Sequence, residues 1–348
     1  MNLDTCKRVC RGVVDPSIGP ETIALIATRL CNLDCLYCRG GRHGQPGYEI
    51  TDISEEMTTE QLFSLFRDAV ELGVKEINIG GMDGEPFCRK DILSVLRRIK
   101  ENGLIGSMTT NGSFLDTNAA EVMTEIGWDI MNLSFDSRDP LILHEIRPAR
   151  NRQPYVFRII EFLETLERLD SGLRVQLNAV ITKKNFRGFS ELVRFARNYR
   201  TIESINPLKL LNTGLSGNYD ALQLDNVELE EFRKILATLK GEPKLMYTGN
   251  WQPDPSTTGT SEQRPSGQKC FTNYYILSVN SNGDIIKCPQ CDENIAGLNV
   301  KTKGLKSLWM NEHLQFRQRM ALRAECFPCC CTILKEQNKA IAAFVERS

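Results

Sequence analysis

Three cysteines share one short stretch, Cys31-x3-Cys35-x2-Cys38. Thiolates are soft ligands, and soft ligands select zinc and iron–sulfur clusters. Zinc takes four protein ligands in a structural site, or three and an exchangeable water in a catalytic one, and His43 is within reach as a fourth ligand on spacing alone. A cubane [4Fe–4S] cluster wants one thiolate per iron, so three cysteines leave one iron open to a substrate or cofactor. The open cluster suits three ligands better. A second group is larger. Of 13 cysteines in the 348-residue chain, Cys270, Cys288, Cys291, Cys326, Cys329, Cys330 and Cys331 fall late, and none lies between 89 and 269. Cys288-x2-Cys291 with Cys326-x2-Cys329 has the spacing of a four-thiolate zinc site. Cys270, Cys288, Cys326 and Cys329 equally supply a closed cubane. Cysteines that merely fill a core would scatter. Cys6-x3-Cys10 is too isolated to interpret.

The composition narrows the setting. Lys and Arg number 43 against 44 Asp and Glu, a net charge of −1. That leaves no basic footprint for nucleic acid or an anionic membrane. No apolar run approaches the ~18 residues of a membrane span. The start, MNLDTCKRVCRG, lacks a signal-peptide core. The expectation is a cytoplasmic protein, where clustered cysteines mean metal or redox chemistry rather than disulfides.

The stretch CNLDCLYC, with Tyr37 before its last cysteine, resembles the C-x3-C-x-aromatic-C signature of radical S-adenosylmethionine (SAM) enzymes. The resemblance implies that SAM chelates the open iron of a [4Fe–4S] cluster on Cys31, Cys35 and Cys38. One electron then cleaves SAM to a 5′-deoxyadenosyl radical that abstracts a substrate hydrogen. An external one-electron reductant of the flavodoxin or ferredoxin type would supply the electron. Gly80-Gly81-Met82-Asp83-Gly84-Glu85-Pro86 is similar to the family's Gly-Gly-Glu-Pro motif, with Met82-Asp83 inserted. Gly84 would let the backbone approach SAM closely, and Glu85 would accept from its ammonium. Thr110-Asn111-Gly112 and Ser134-Phe135-Asp136 resemble further SAM-contacting strand ends. Arg147, in His144-Glu145-Ile146-Arg147, resembles the arginine that pairs with the SAM carboxylate, a task suited to a bidentate fork. Asn178, inside VQLNAVI, reads as a core amide on its own and as a SAM contact by the resemblance. Cys88, two residues after Pro86, departs from the family pattern and puts a thiol near the site.

The late cysteines resemble the twitch region, the short form of the SPASM extension of these enzymes. A cysteine stands on each side of a hairpin, Gly283 lies five residues before Cys288, and a Cys-x2-Cys pair follows. The stretch Lys303–Trp309 and Arg317 resemble its connecting segment. This implies one auxiliary [4Fe–4S] cluster on Cys270, Cys288, Cys326 and Cys329. At least two of Cys291, Cys330 and Cys331 are then spare thiols. With Cys88, they are candidate catalytic hydrogen donors to a substrate radical.

Apolar periodicity supplies the elements that must position these residues. Strands are predicted at Thr22–Thr28, Glu76–Gly80, Ile105–Thr110, Asp129–Phe135, Arg174–Ile181 and Ile202–Leu210. Helices are predicted at Thr59–Leu72, Lys90–Asn102, Asp116–Ile126, Tyr155–Leu169, Phe186–Arg200 and Asn226–Lys240. Six βα units suit a partial barrel or a doubly wound sheet, and both place function at the carboxyl ends of the strands. With the resemblance, the fold is an α/β protein: a partial (β/α)6 TIM-like barrel followed by a small cysteine-rich α+β domain. The expected organisation is an extension (1–20), the barrel (21–215), a linker and helix (216–262), the twitch-type domain (263–335) and a C-terminal helix (336–348). A hairpin is expected around Asn280–Gly283, and helical stretches at Leu305–Trp309 and Glu312–Leu322.

The substrate is less constrained. Only 21 residues precede the first strand, too few for the leader-binding domain that peptide-modifying relatives often carry. The expectation is therefore a small molecule such as a sugar, aminoglycoside or nucleoside. Dehydrogenation and epimerisation are the expected outcomes. Peptide modification, decarboxylation and a non-enzymatic electron carrier are the alternatives.

Overall fold

Each short apolar run in the first two-thirds of the chain becomes a strand. A computed structural model describes residues 17–38, 53–80, 84–151, 153–210, 218–246, 271–287 and 294–313, with Lys7, Asp15, Trp251, Pro289 and Ile341. Six strands, β1 (Thr22–Leu25), β2 (Glu76–Ile79), β3 (Ile105–Thr110), β4 (Ile130–Ser134), β5 (Arg174–Ile181) and β6 (Ile202–Lys209), pair in chain order, all parallel. β3 and β5 have the bounds the sequence predicts, and the other four are one to three residues shorter.

Parallel strands need crossovers, and helices supply them. They are α1 (Thr59–Glu71), α2 (Ile92–Glu101), α3 (Thr117–Glu125), α4 (Pro140–Ile146), α5 (Val156–Arg168), α6 (Phe189–Arg197) and, after β6, α7 (Asn226–Thr238). The Thr58 side chain accepts from the Gln61 backbone while Gln61 returns a bond to the Thr58 N–H, a reciprocal cap that fixes where α1 begins. The buried face of α1 (Leu62, Leu65, Phe66 and Ala69) joins one core with Ile23, Leu25, Ile77 and Ile79 of the strands. α4 was not foreseen as a helix. Asp139 caps it by accepting from the backbone of Leu141 and Ile142, and Pro140 opens it. The helix predicted over Phe186–Arg200 is shorter, because Phe186–Gly188 forms a tighter 3-10 turn.

The hairpin is present but extends the barrel's own sheet. β7 (Ile276–Val279) pairs parallel to β1, and β8 (Asp284–Ile286) and β9 (Asn294–Asn299) follow antiparallel. The sheet order is β6-β5-β4-β3-β2-β1-β7-β8-β9. An open edge on β1 would leave backbone groups without partners, and β7 takes them up. β9 was not foreseen, because NIAGLN carries a glycine and little apolar character. Gly283 turns the hairpin with φ +88°. The connecting segment docks on the barrel: Trp309 is fully buried and its indole N–H donates to the Ile18 carbonyl at 2.9 Å. Its helix, Leu305–Ser307, continues as a π-helical turn over Leu308–Glu312. Cys6, Cys10, His43, Cys270, Cys288, Cys291, Arg317, Cys326, Cys329, Cys330, Cys331 and the expected C-terminal helix lie outside the described residues. Among the described residues no helix is long and apolar enough to cross a membrane.

Candidate active site

The loop after β1 carries Cys31, Cys35 and Cys38, and a segment far along the chain holds it. Asp34 N–H donates to the Pro148 carbonyl and Leu36 N–H to that of Ile146, both at 2.9 Å, while Arg150 N–H returns a bond to Asn32 at 3.0 Å. Leu33 and Ala149 form an isolated antiparallel bridge. The stretch that ends α4 is thus an edge against which the cysteine loop is laid out. Burial and the neighbouring Cys35 push the Cys31 thiol up to about 12. Burial pushes Cys35 up to about 11, against the pull of Arg147. Among the described residues no three His, Cys, Asp or Glu side chains converge where one metal ion would sit. A cubane gives each thiolate its own iron, and three thiols in one loop match that demand, while His43, the fourth zinc ligand on spacing, lies outside the described residues.

The glycine of the Gly84-Glu85-Pro86 turn has a structural reason. Gly84 has φ +81°, and a Cβ there would lie 1.9 Å from the Thr28 carbonyl oxygen. The close approach in this structure is to the chain's own backbone. Glu85 accepts from the Thr110 hydroxyl at 2.6 Å, the Asn111 N–H at 2.6 Å and the Phe87 N–H at 3.2 Å. The carboxylate therefore ties the second strand end to the third. Burial raises its pKa and these bonds oppose the rise.

Tyr37, Asp136 and Arg147 form a second knot. The Tyr37 hydroxyl donates to Asp136 at 2.6 Å, and the Val180 N–H donates to the other Asp136 oxygen at 2.8 Å. The Arg147 guanidinium lies 3.9 Å from Asp136 and within hydrogen-bonding reach of the Cys35 thiol. Its Nε and Nη1 are buried without a hydrogen-bond acceptor. Glu85, Asp136, Arg147 and Asn111 are only 2%, 3%, 6% and 6% exposed. Cys88 ends the 3-10 turn after Glu85, and burial with the Glu85 charge pushes its thiol up to about 12.

Ser134 and Asn178 occupy a different place. They are register partners on the strand face opposite the helices, and both are half-buried. Sequence reasoning missed two residues beside them. The Asn206 amide donates to Asn178 at 2.8 Å, and Asn178 donates to Asn132 at 3.5 Å, so three asparagines cross β6, β5 and β4. Asn206 is 2% exposed and its Oδ1 has no partner. The signal was available: Asn132 and Ser134 flank Leu133, Gln176 and Asn178 flank Leu177, and Ser204 and Asn206 flank Ile205.

The pattern of residues 25–196 matches the radical SAM superfamily model. A GTP 3′,8-cyclase of Limosilactobacillus fermentum is 30% identical over 283 residues, covering 79% of this chain and 81% of that protein. This chain belongs to the radical SAM superfamily. A probable GTP 3′,8-cyclase of Sulfolobus acidocaldarius is 28% identical over 212 residues, and there the match covers 60% of this chain and only 62% of the relative. The crystal structure of Streptococcus suis SuiB bound to the precursor peptide SuiA has the same fold. Its TM-score is 0.65 at 19% identity, covering 90% of this chain and 70% of that one.

A radical SAM enzyme uses SAM and a [4Fe–4S] cluster, and the site described above fits both. Three thiols lie in one loop, and the buried Arg147 guanidinium, ion-paired with Asp136, stands beside the Cys35 thiol with Nε and Nη1 free of hydrogen-bond acceptors.

Proposed function

We propose that this radical SAM enzyme acts on an uncharged, hydrogen-bonding small molecule held against the inner face of the barrel, with dehydrogenation or epimerisation as the outcome. The observation that carries this reading is the character of that face. Asn78, Ser107, Thr109, Asn132, Ser134, Gln176, Asn178, Ser204 and Asn206 follow one another there in register. Among the described strand residues of that face the cation is Arg174, at the amino end of β5, where it is engaged with Glu203 at 3.6 Å. Amides and hydroxyls bind sugar hydroxyls and amides well, whereas a polyphosphate calls for arginine and lysine.

When bound, SAM and the cluster supply a one-electron cleavage that yields a hydrogen-abstracting radical. The protein's own part is positional. Cys31, Cys35 and Cys38 would hold the cluster, Arg147 would meet an anion beside it, and Ser134 and Asn178 would face SAM or substrate. The twitch-type reading adds an auxiliary cluster on Cys270, Cys288, Cys326 and Cys329. The β7–β8 hairpin supports it, being present with Gly283 at its turn. Reconstituted protein should then hold about eight irons, four per cubane. Four irons, or zinc in place of the second set, would remove the auxiliary cluster. Cys88, Cys291, Cys330 and Cys331 remain the candidate donors: replacing a true donor by Ala should leave 5′-deoxyadenosine formation intact while the product changes.

A second reading is cyclisation of GTP, favoured by the 30% identity to the cyclase of L. fermentum. The two readings separate in one experiment. Anaerobic protein is titrated with GTP by calorimetry, and 5′-deoxyadenosine is counted with and without GTP. Tight binding with GTP-dependent turnover would establish the cyclase and overturn the uncharged-substrate reading. Our reading expects neither.

A further inference from the structure

The geometry points to Asn111 as a positioning residue for the SAM-binding cluster: its amide donates a hydrogen bond to the Cys31 sulfur and thereby raises the cluster's reduction potential. The orientation of the amide is fixed by an unambiguous donor. The Ser113 backbone N–H gives its proton to Asn111 Oδ1 at 2.8 Å, so the other end of the amide must be Nδ2. The Ser113 hydroxyl adds a second bond to the same Oδ1 at 2.6 Å. Asn111 Nδ2 donates one hydrogen to Asn32 Oδ1 at 3.1 Å, and the Asn32 amide donates to the Ser113 hydroxyl at 2.7 Å. Asn111, Asn32 and Ser113 thus close a ring of hydrogen bonds. Both lone pairs of the Asn111 carbonyl and one of its two N–H groups are used within it. The remaining N–H faces Cys31 Sγ at 3.9 Å.

The main chain completes the arrangement. The Asn111 N–H is held by Glu85 at 2.6 Å, so the amide stands on a rigid strand end. At 6% exposure, with one N–H left for sulfur, Asn111 has little left to offer SAM directly. A hydrogen bond to a ligand sulfur stabilises the more negative, reduced cluster, and such bonds are among the levers that set cluster potentials. The inference rests on the family's cluster being held by Cys31, Cys35 and Cys38.

The test is a redox titration of the reconstituted holoenzyme with titanium(III) citrate, a one-electron reductant, read by electron paramagnetic resonance. The signal followed is the one that shifts when SAM is added. Asn111→Leu removes the donor without adding charge. Its ratio of reduced to oxidised cluster at the wild-type midpoint should fall about tenfold, a shift of about 59 mV downward for one electron. SAM affinity should hold at the wild-type level, and an exchangeable-proton coupling to the cluster should disappear. Ser113→Ala keeps the donor but opens the ring, and should give a smaller shift in the same direction. An unchanged potential in Asn111→Leu with full iron content overturns the proposal, as does a loss confined to SAM affinity. If Asn111→Leu fails to assemble its cluster, Ser113→Ala decides: a downward shift supports the proposal and an unchanged potential overturns it. A wild-type protein with no SAM-responsive cluster signal would instead overturn the cluster assignment, and this inference with it.

Discussion

The cysteine loop and the inner face of the barrel are built from the same kinds of polar residue, yet they are put to opposite use. Around the loop, Glu85, Asn111 and Asp136 each accept or donate several short bonds within the protein. On the inner face the residues are half-buried for the most part, and two deeply buried acceptors, Asn206 Oδ1 and Ser278 Oγ, have no partner. A satisfied buried polar group fixes geometry, while an unsatisfied one costs free energy until something binds it. Arg147 apart, whose Nε and Nη1 also lack acceptors, the first region is thus a mount and the second a receptor.

The sharpest way to break this contrast is to remove the mount's purpose. Replacing Cys31, Cys35 and Cys38 together by Ala should abolish SAM cleavage and lower the iron content by about four atoms per chain. Iron assay and 5′-deoxyadenosine counting check it, and an active triple variant would mean that the loop is not the cluster site. Next in size is a pH effect. Thiols pushed up to about 12 and 11 at Cys31 and Cys35 are protonated at neutral pH. Each must lose its proton to bind iron, so iron affinity should rise with pH by about tenfold per released proton per unit. Competition with a chelator at several pH values measures the slope. Substrate binding on the inner face, where amides and hydroxyls predominate and Glu76 and Arg174 are the charged exceptions, should show no comparable slope.

The third test targets the Tyr37–Asp136–Arg147 knot. Asp136→Ala leaves Arg147 buried without its carboxylate, a change that costs about 3–5 kcal/mol. A urea midpoint far below wild type is expected, and a near-normal midpoint would show that the knot is not structural. The smallest effect is expected on the receptor side. Asn206→Ala loses one bond, to Asn178, and should cost about 1 kcal/mol of stability. Its substrate KM should rise about tenfold, equivalent to 1.4 kcal/mol, with iron content and SAM affinity unchanged. A fall in stability as large as that of Asp136→Ala would erase the distinction between the regions.

The degree to which the sequence foretold each region follows from how local its causes are. β3 and β5 were legible to the residue because alternation is written in consecutive side chains. The cysteine loop was legible because three ligands within eight positions need no tertiary information. α4 was missed because a seven-residue helix opened by Pro140 shows no periodicity, and His144–Arg147 drew notice only as a motif. The bonds that Glu85, Asn111 and Arg147 make within the protein were not legible at all. They depend on Thr110, Ser113 and Cys35, partners that only the fold brings together. β9 was missed for the opposite reason: its local signal is weak, and it is a strand because β8 offers it an edge.

The parallel pairing of β7 with β1 has a consequence for how the chain comes into being. β1 meets its first neighbour, β2, as soon as the next strand is made, but its second neighbour arrives only after all six barrel strands and α7 have emerged. Until then Ile23 and Leu25 stand in a strand whose outer backbone is unpaired, the kind of edge that recruits other chains. Closing so long a loop adds little free-energy cost but much time. The nascent protein therefore carries an aggregation hazard at β1, and relieves it only when β7, about 250 residues later, comes home.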